Sequence, residues 1–425
     1  MSHVVEVAPE PGATPDADEP HRPPRPGGTW TLRRQGVRTV VELELRQRVR
    51  STRWRVALGA WFVVCGLVTW LTFRTSAQLI GPDYGGGYVD DGTGAFSSEL
   101  DVTFQVPRGP LIFGLIVFFV LLAGFLVAPT LSAGAINGDR DAGTLATLQV
   151  TLLSPAEIAI GKLLAGWTAA VAFLVAALPF VLVSLAAGGV RVVSLAVTLV
   201  LLVVLLGVVC AIGLGFSALV SRTTASALLT YLTVLALTLG TVVLFGLTFP
   251  LITQTDQVPT YESSASGSPG VVYQVDENGN TVEIDQTTGK PVDPDASPDG
   301  ESTACRWVTE PTSRAHTERT WWLLAVNPFV VVADAAPSAP GTARYGVPDP
   351  LQEIRSGVRE ARNGPADRED WCGDGTAAEV RPASTAPVWP WGLGVNLLLG
   401  AGAVWLTVRR LRIPQRTLPR GTRVA

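Results

Sequence analysis

The sequence predicts an all-α polytopic membrane protein with six transmembrane helices, an N-terminal amphipathic helix and a large extracellular insert containing a small β-hairpin. The composition is 47% hydrophobic and 16% charged, with a mean hydropathy of +0.33, which is more apolar than a soluble domain. Six apolar runs each approach the ~20 residues that cross a bilayer. Because backbone groups inside a bilayer must pair within their own segment, these runs are expected to be helices.

The N-terminal region divides into a tail and a helix. Residues 1–35 are polar and proline-rich, and the first apolar run begins near Val56, too late for a cleavable signal peptide. They are predicted to be a disordered cytoplasmic tail. Residues 36–53 are predicted to form an amphipathic interfacial helix on the inner leaflet. Its apolar positions recur every four residues: Val37, Val41, Leu45 and Val49.

Spans one to five are predicted within residues 54–250, and the sixth at 388–408. The predicted spans are Val56–Phe73, Leu111–Ala128, Leu163–Ala187, Val192–Val220, Ala225–Phe249 and Val388–Val408. Ten arginines precede the first span, and six lie in the basic tail 409–425. Arginine enrichment marks cytoplasmic flanks, so both termini are predicted in the cytoplasm of a cell-membrane protein. An even number of spans follows.

One further apolar segment, Trp321–Ala336, is only 16 residues long and has Asn327-Pro328 in its middle. A seventh span there would place the arginine-rich C-terminus outside the cell. We therefore predict an interfacial or re-entrant helix, with its tryptophans at the headgroup level.

Residues 251–387 are predicted to be an extracellular insert, and they carry 21 acidic against 10 basic residues. Strand-forming residues flank Asn278-Gly279, which predicts a β-hairpin. Cys305 and Cys372 are predicted to form a disulfide, since an external location lets one persist; two free thiols are the alternative. Residues 263–303 and 337–387 are rich in Gly, Pro, Ser and Asp, and are predicted to be partly disordered.

The sequence shows no sign of its own energy source or catalytic centre. The chain has two lysines, Lys162 and Lys290, and each lacks the Ser or Thr that completes a phosphate-binding loop. The spans carry no interior ionisable residue, and no metal-ligand cluster or nucleophilic triad is visible. An intramembrane enzyme and ion-coupled transport are therefore poorly supported. No nucleic-acid partner is expected.

The polar segment 137–162 is the best candidate for receiving energy from a partner. Asp139-Arg140-Asp141 forms a polar turn, and 143–150 can form a short helix. Ser154, Pro155 and Glu157 predict a helix start with a capping box, followed by a helix in which Lys162 snorkels to the headgroups. The segment is either a short cytoplasmic lever between two spans or an ordinary loop with a capped helix.

The same segment resembles the signature of bacterial ABC transporter permeases of the type-2 exporter class. Asp139-Arg140 and Asp141 resemble its charged pair, Gly143-Thr144-Leu145 matches directly, and the run from Leu153 to Lys162 resembles its closing turn and helix. Ala146 departs from the glutamate usual in the family. Asn327-Pro328-Phe329 resembles an element often found before the last span.

This resemblance implies a dimer, formed with a second permease copy or a paralogue and bound to two ABC ATP-binding subunits. No cofactor is expected in this chain, since ATP and Mg²⁺ would be held by the partner. The implied coupling residues are Asp139, Arg140, Asp141, Gly143, Thr144, Leu145 and Glu157. Membrane lipid is the remaining expected partner. The alternative is a structural or sensory membrane protein whose acidic external domain binds a cell-wall or protein ligand.

Overall fold

A computed structural model describes the chain over residues 29–79, 108–143, 153–263, 271–275, 281–285, 305–337, 349–370 and 386–412. The helices before the insert are α1 (Arg34–Arg50), α2 (Thr52–Leu79), α3 (Gly109–Ser132), α4 (Asn137–Asp141), α5 (Pro155–Ala186), α6 (Val192–Leu219), α7 (Thr223–Leu235) and α8 (Thr241–Ile252). A π-helical segment, Ala236–Gly240, joins α7 to α8. The later helices are α9 (Trp322–Ala325), α10 (Pro328–Ala335), α11 (Pro350–Asn363) and α12 (Trp389–Arg410). The strands are β1 (Thr253–Ser263), β2 (Val271–Val275), β3 (Thr281–Asp285), β4 (Cys305–Ala315) and β5 (Glu369–Asp370).

Within the described residues, six helical stretches are long and apolar enough to cross a membrane, which confirms the six predicted spans. They are Thr52–Ser76, Gly109–Asp141, Pro155–Ala186, Val192–Leu219, Thr223–Ile252 and Trp389–Arg410. The segment Trp321–Ala336 instead forms the short helices α9 and α10, which break at Asn327 and are too short to cross.

The second and fourth spans lie at the centre of the bundle, and each is 61% buried over its most apolar window. Ile112, Val117 and Leu121 of α3 meet Leu202 and Leu205 of α6 in the core. The first and fifth spans are only 17% buried and lie at the periphery. Their exposed apolar side chains suit contact with lipid or with another membrane chain.

The insert begins with a β-sheet whose first strand follows the fifth span without a loop. β1 starts at the residue after α8 and pairs antiparallel with β4 over eleven positions, from Thr253 opposite Ala315 to Ser263 opposite Cys305. β5 adds to the other edge of β1 in parallel. This sheet was not predicted, because its strands are polar and lack clear alternation of apolar and polar residues. The predicted hairpin is confirmed as the antiparallel pair β2–β3.

The helix α11 corrects a second prediction, because it lies inside the stretch 337–387 that was predicted to be partly disordered. Asp349 caps it by accepting the N–H groups of Leu351 and Gln352 at 3.1 and 3.3 Å. Leu351, Val358 and Ala361 are buried on one face. Composition hid an amphipathic pattern that begins with a clear Asp-Pro helix start. Of the predicted tails 1–35 and 409–425, residues 1–28 and 413–425 lie outside the described residues, as do the stretches 338–348 and 371–385.

Candidate functional site

The start of α5 is built by a reciprocal capping box. Ser154 Oγ accepts the N–H of Glu157 at 3.1 Å, and Glu157 Oε2 accepts the N–H of Ser154 at 2.8 Å. Pro155 occupies the first helical position, where its missing N–H costs nothing. Two donors that a helix start leaves free are thereby satisfied within the segment.

The same carboxylate reaches out of α5 to the chain that precedes α1. Glu157 Oε1 accepts the backbone N–H of Arg33 at 2.6 Å, and Ser154 Oγ donates to the carbonyl of Thr31 at 2.5 Å. Glu157 is 2% exposed, so it offers almost no surface to a partner. It joins the entry of α1 to the entry of α5.

Lys162 forms a buried junction of three elements, which we name the Lys162 triad (Glu44, Asp139 and Lys162). Its Nζ lies 2.6 Å from Glu44 Oε1 of α1 and 2.5 Å from Asp139 Oδ2 of α4. The lysine side chain is 2% exposed. The predicted snorkelling to headgroups is therefore wrong. Two carboxylates compensate the buried ammonium, which removes the need to reach water.

The helix α4 is also fixed to α6. The hydroxyl of Ser217 accepts the N–H groups of Ile136 and Asn137 at 3.1 and 3.2 Å. Asn137 is fully buried, and its Oδ1 accepts a hydrogen bond from Arg140 at 3.0 Å. The start of α4 is thus fixed to the bundle, whereas residues at its end are exposed to solvent.

Those exposed residues include three of the predicted coupling positions. Arg140, Asp141 and Gly143 are exposed, and Asp141 approaches Thr223 Oγ1 only at 3.5 Å. Gly143 has φ +68° and donates its N–H to the carbonyl of Arg140, so it ends α4 in a left-handed conformation that glycine tolerates. Thr144 and Leu145 lie outside the described residues.

A family model described as ABC-2 family transporter protein matches residues 38–292. The match covers more than half of the chain and includes most of α1, the Lys162 triad and the first five spans. The chain belongs to the ABC-2 transporter family. It is a membrane permease component of an ABC transporter and a multi-pass membrane protein. A search of curated proteins found no match.

The opposite end of this ABC-2 permease has a polar junction that the sequence analysis missed. The Asp334 side chain of α10 is fully buried and accepts Arg359 Nε of α11 at 2.6 Å. Its other oxygen accepts the N–H groups of Val388 and Trp389 at 2.6 and 2.8 Å, which caps α12. An acid within an apolar run was the available signal, since such a group requires partners.

Asn327 links this junction to the fifth span. Its Oδ1 caps α10 by accepting the N–H of Phe329 at 2.9 Å. Its Nδ2 donates to the carbonyl of Thr238, in the π-helical segment, at 2.7 Å and to Thr241 Oγ1 at 3.1 Å. Asn327 belongs to the Asn327-Pro328-Phe329 element that resembles the family signature. Its side chain therefore holds the π-helical segment of the fifth span by hydrogen bonds.

Two titratable groups beside this junction are perturbed by burial. Burial raises the pKa of Asp349, although the N–H groups of Gln352 and Leu351 and the charge of Arg355 oppose the shift. Burial also lowers the pKa of Arg355, and the neighbouring Arg359 adds to that shift.

Proposed function

We propose that this chain is the membrane-spanning subunit of an ATP-driven exporter in the cell membrane, with both termini in the cytoplasm. ATP and Mg²⁺ would be bound by separate ABC ATP-binding subunits. One observation carries the proposal: exposed Arg140 and Asp141 directly follow Asp139, which is held by the buried Lys162 of a membrane span.

The geometry suits transmission of a push from a soluble partner. Arg140 and Asp141 offer charges of both signs to that partner, and Gly143 sets the direction in which the following segment leaves α4. Moving α4 would move Asp139 against Lys162. A buried ion pair is costly to separate, so α5 would follow, and Glu44 would carry α1 with it.

The rest of the assembly is proposed from the family and the bundle. A second copy or a paralogue would complete a dimer, and lipid would cover the remaining apolar surface. The first and fifth spans, which the chain itself buries least, are available for both contacts. Family membership favours this function over the receptor interpretation of the acidic insert.

The test is co-purification of the tagged chain from its native membranes in mild detergent. We expect a stoichiometric P-loop ATPase with the unchanged chain and its loss with the double charge reversal Arg140→Glu and Asp141→Lys. Arg410→Glu, an exposed charge at the end of α12, is the matched control and should retain the ATPase. Recovery of external proteins alone, without an ATPase, would contradict the transport function and favour the receptor function.

A further inference from the structure

An open groove of about 1000 Å³ runs between α1 and the first turns of α5. Its floor is apolar and is formed by both helices. The floor residues are Val37, Val41, Leu45, Val49, Ile160 and Leu164. The apolar face of α1 therefore does not pack fully against the bundle but leaves a channel beside it.

The rim of the groove is strongly basic. Five arginines and one glutamate line it: Arg33, Arg34, Arg38, Arg46, Arg50 and Glu42. All five arginines are exposed. A ligand that fits has an apolar portion for the floor and a negative charge for the rim.

The position of the groove relative to the membrane indicates the source of such a ligand. α1 ends at Arg50 and the first span begins at Thr52, so α1 lies at the membrane boundary by connectivity. Ile160 and Leu164 belong to the first turns of a membrane-spanning helix. Anionic phospholipids present phosphate oxygens above acyl chains at this depth.

We propose that the groove is a binding site for one anionic phospholipid, with an acyl chain on the floor and the headgroup among the arginines. The lipid would fill the space between α1 and α5 beside the Glu44–Lys162 ion pair. It would therefore tighten the contact that joins these helices. This site goes beyond the proposed transport function and does not depend on an ATPase partner.

Native mass spectrometry of the purified full chain tests the proposal, with phosphatidylglycerol and phosphatidylcholine of identical acyl chains as probes. We expect preferential retention of phosphatidylglycerol. The double variant Arg34→Gln and Arg38→Gln should weaken it about 30-fold, which is the ratio for two arginines that each contribute about 1 kcal/mol near an anionic surface. The matched control, Arg410→Gln and Arg412→Gln, removes two exposed arginines near the end of α12 and should bind as the unchanged chain does.

A second variant separates the floor from the rim. Val41→Phe places an aromatic ring in the groove and should lower retention of both lipids without removing charge. Equal retention of the two lipids, or unchanged phosphatidylglycerol binding by Arg34→Gln and Arg38→Gln, would overturn the site. A further test labels the thiol of a Leu45→Cys variant in delipidated protein. If a second copy of the chain or an ATPase subunit protects this thiol from the label, the occupant is a protein and the lipid site is overturned.

Discussion

Lys162 of α5 lies 2.6 Å from Glu44 of α1, and the lysine side chain is almost completely withdrawn from solvent. The contact joins residues 118 positions apart in the sequence. With Asp139 as its second partner, this one ammonium group holds together the amphipathic helix, the polar turn and a membrane span.

Replacing Lys162 by Met should lower the free energy of unfolding by about 2–3 kcal/mol, because two carboxylates lose their shared counter-charge. The partial exposure of both carboxylates places the loss just below the range for fully buried pairs. Thermal unfolding in detergent measures it. The triple change that adds Glu44→Gln and Asp139→Asn should recover most of the stability but not stimulation of the ATPase. Equal stability of Lys162→Met and the unchanged chain would contradict the role of the triad.

Glu157→Gln should cost roughly 1–2 kcal/mol, because an amide presents only one acceptor oxygen to two N–H groups. Glu157→Ala removes both acceptor oxygens, so in that variant hydrogen exchange should accelerate at the amides of Arg33 and Ser154 together. Ser154→Ala is the comparison: it removes the hydroxyl that caps Glu157 but leaves the carboxylate contact with Arg33. Faster exchange at Ser154 alone in Glu157→Ala would show that the entries of α1 and α5 are not joined here.

Gly143→Pro should abolish stimulation of the partner ATPase while the protein still inserts into membranes. Proline fixes φ near −65°, whereas Gly143 has φ +68° and donates its N–H to Arg140. Gly138→Ala is the control, since nothing lies within 4 Å of the added methyl group. Membrane fractionation and ATPase activity of the purified complex measure the two effects. Normal stimulation with Gly143→Pro would remove the coupling role of this turn.

Asp349→Asn should be neutral or stabilising at pH 7. The native pKa of Asp349 is raised, so the folded protein loses stability as the pH rises and this carboxyl ionises. An asparagine keeps the acceptor for Leu351 and Gln352 without a charge. Unfolding temperatures of both proteins should converge as the pH falls from the native pKa to the ordinary value of 3.8. An unfolding temperature of Asp349→Asn that is lower at pH 7 but equal at low pH would show that the ionised form is the favoured one.

The pairing of Cys305 with Cys372 stays a prediction, since Cys372 lies outside the described residues. A membrane-impermeant maleimide should label neither thiol in intact cells until a reductant is added. Cys305→Ser should then expose one labelled thiol at Cys372 without reductant. Cys65 and Cys210 are buried and serve as internal unlabelled positions. Labelling of both external thiols in the unreduced protein would establish the free-thiol alternative.

The six spans could be predicted from the sequence because apolar length is a property of single segments. The capping box at Ser154 and Glu157 is equally local. The Lys162 triad and the Asp334 junction join residues far apart in the sequence, and no pattern within one segment specifies such partners. The sheet of β1 and β4 was missed for the same reason, since its strands are defined by each other and not by alternating hydrophobicity.

The contact between Glu157 and Arg33 has a consequence for how substitutions will distribute along the chain. Glu157 contributes a side chain, but Arg33 contributes only its main-chain N–H. Any residue except proline can supply that donor. A complete mutational scan read out as folding stability should therefore find position 157 restrictive and position 33 permissive to every residue but proline, and covariation between the two positions that arises from this contact should be absent. A contact between a side chain and a main-chain N–H therefore constrains the amino-acid identity at only one of its two positions.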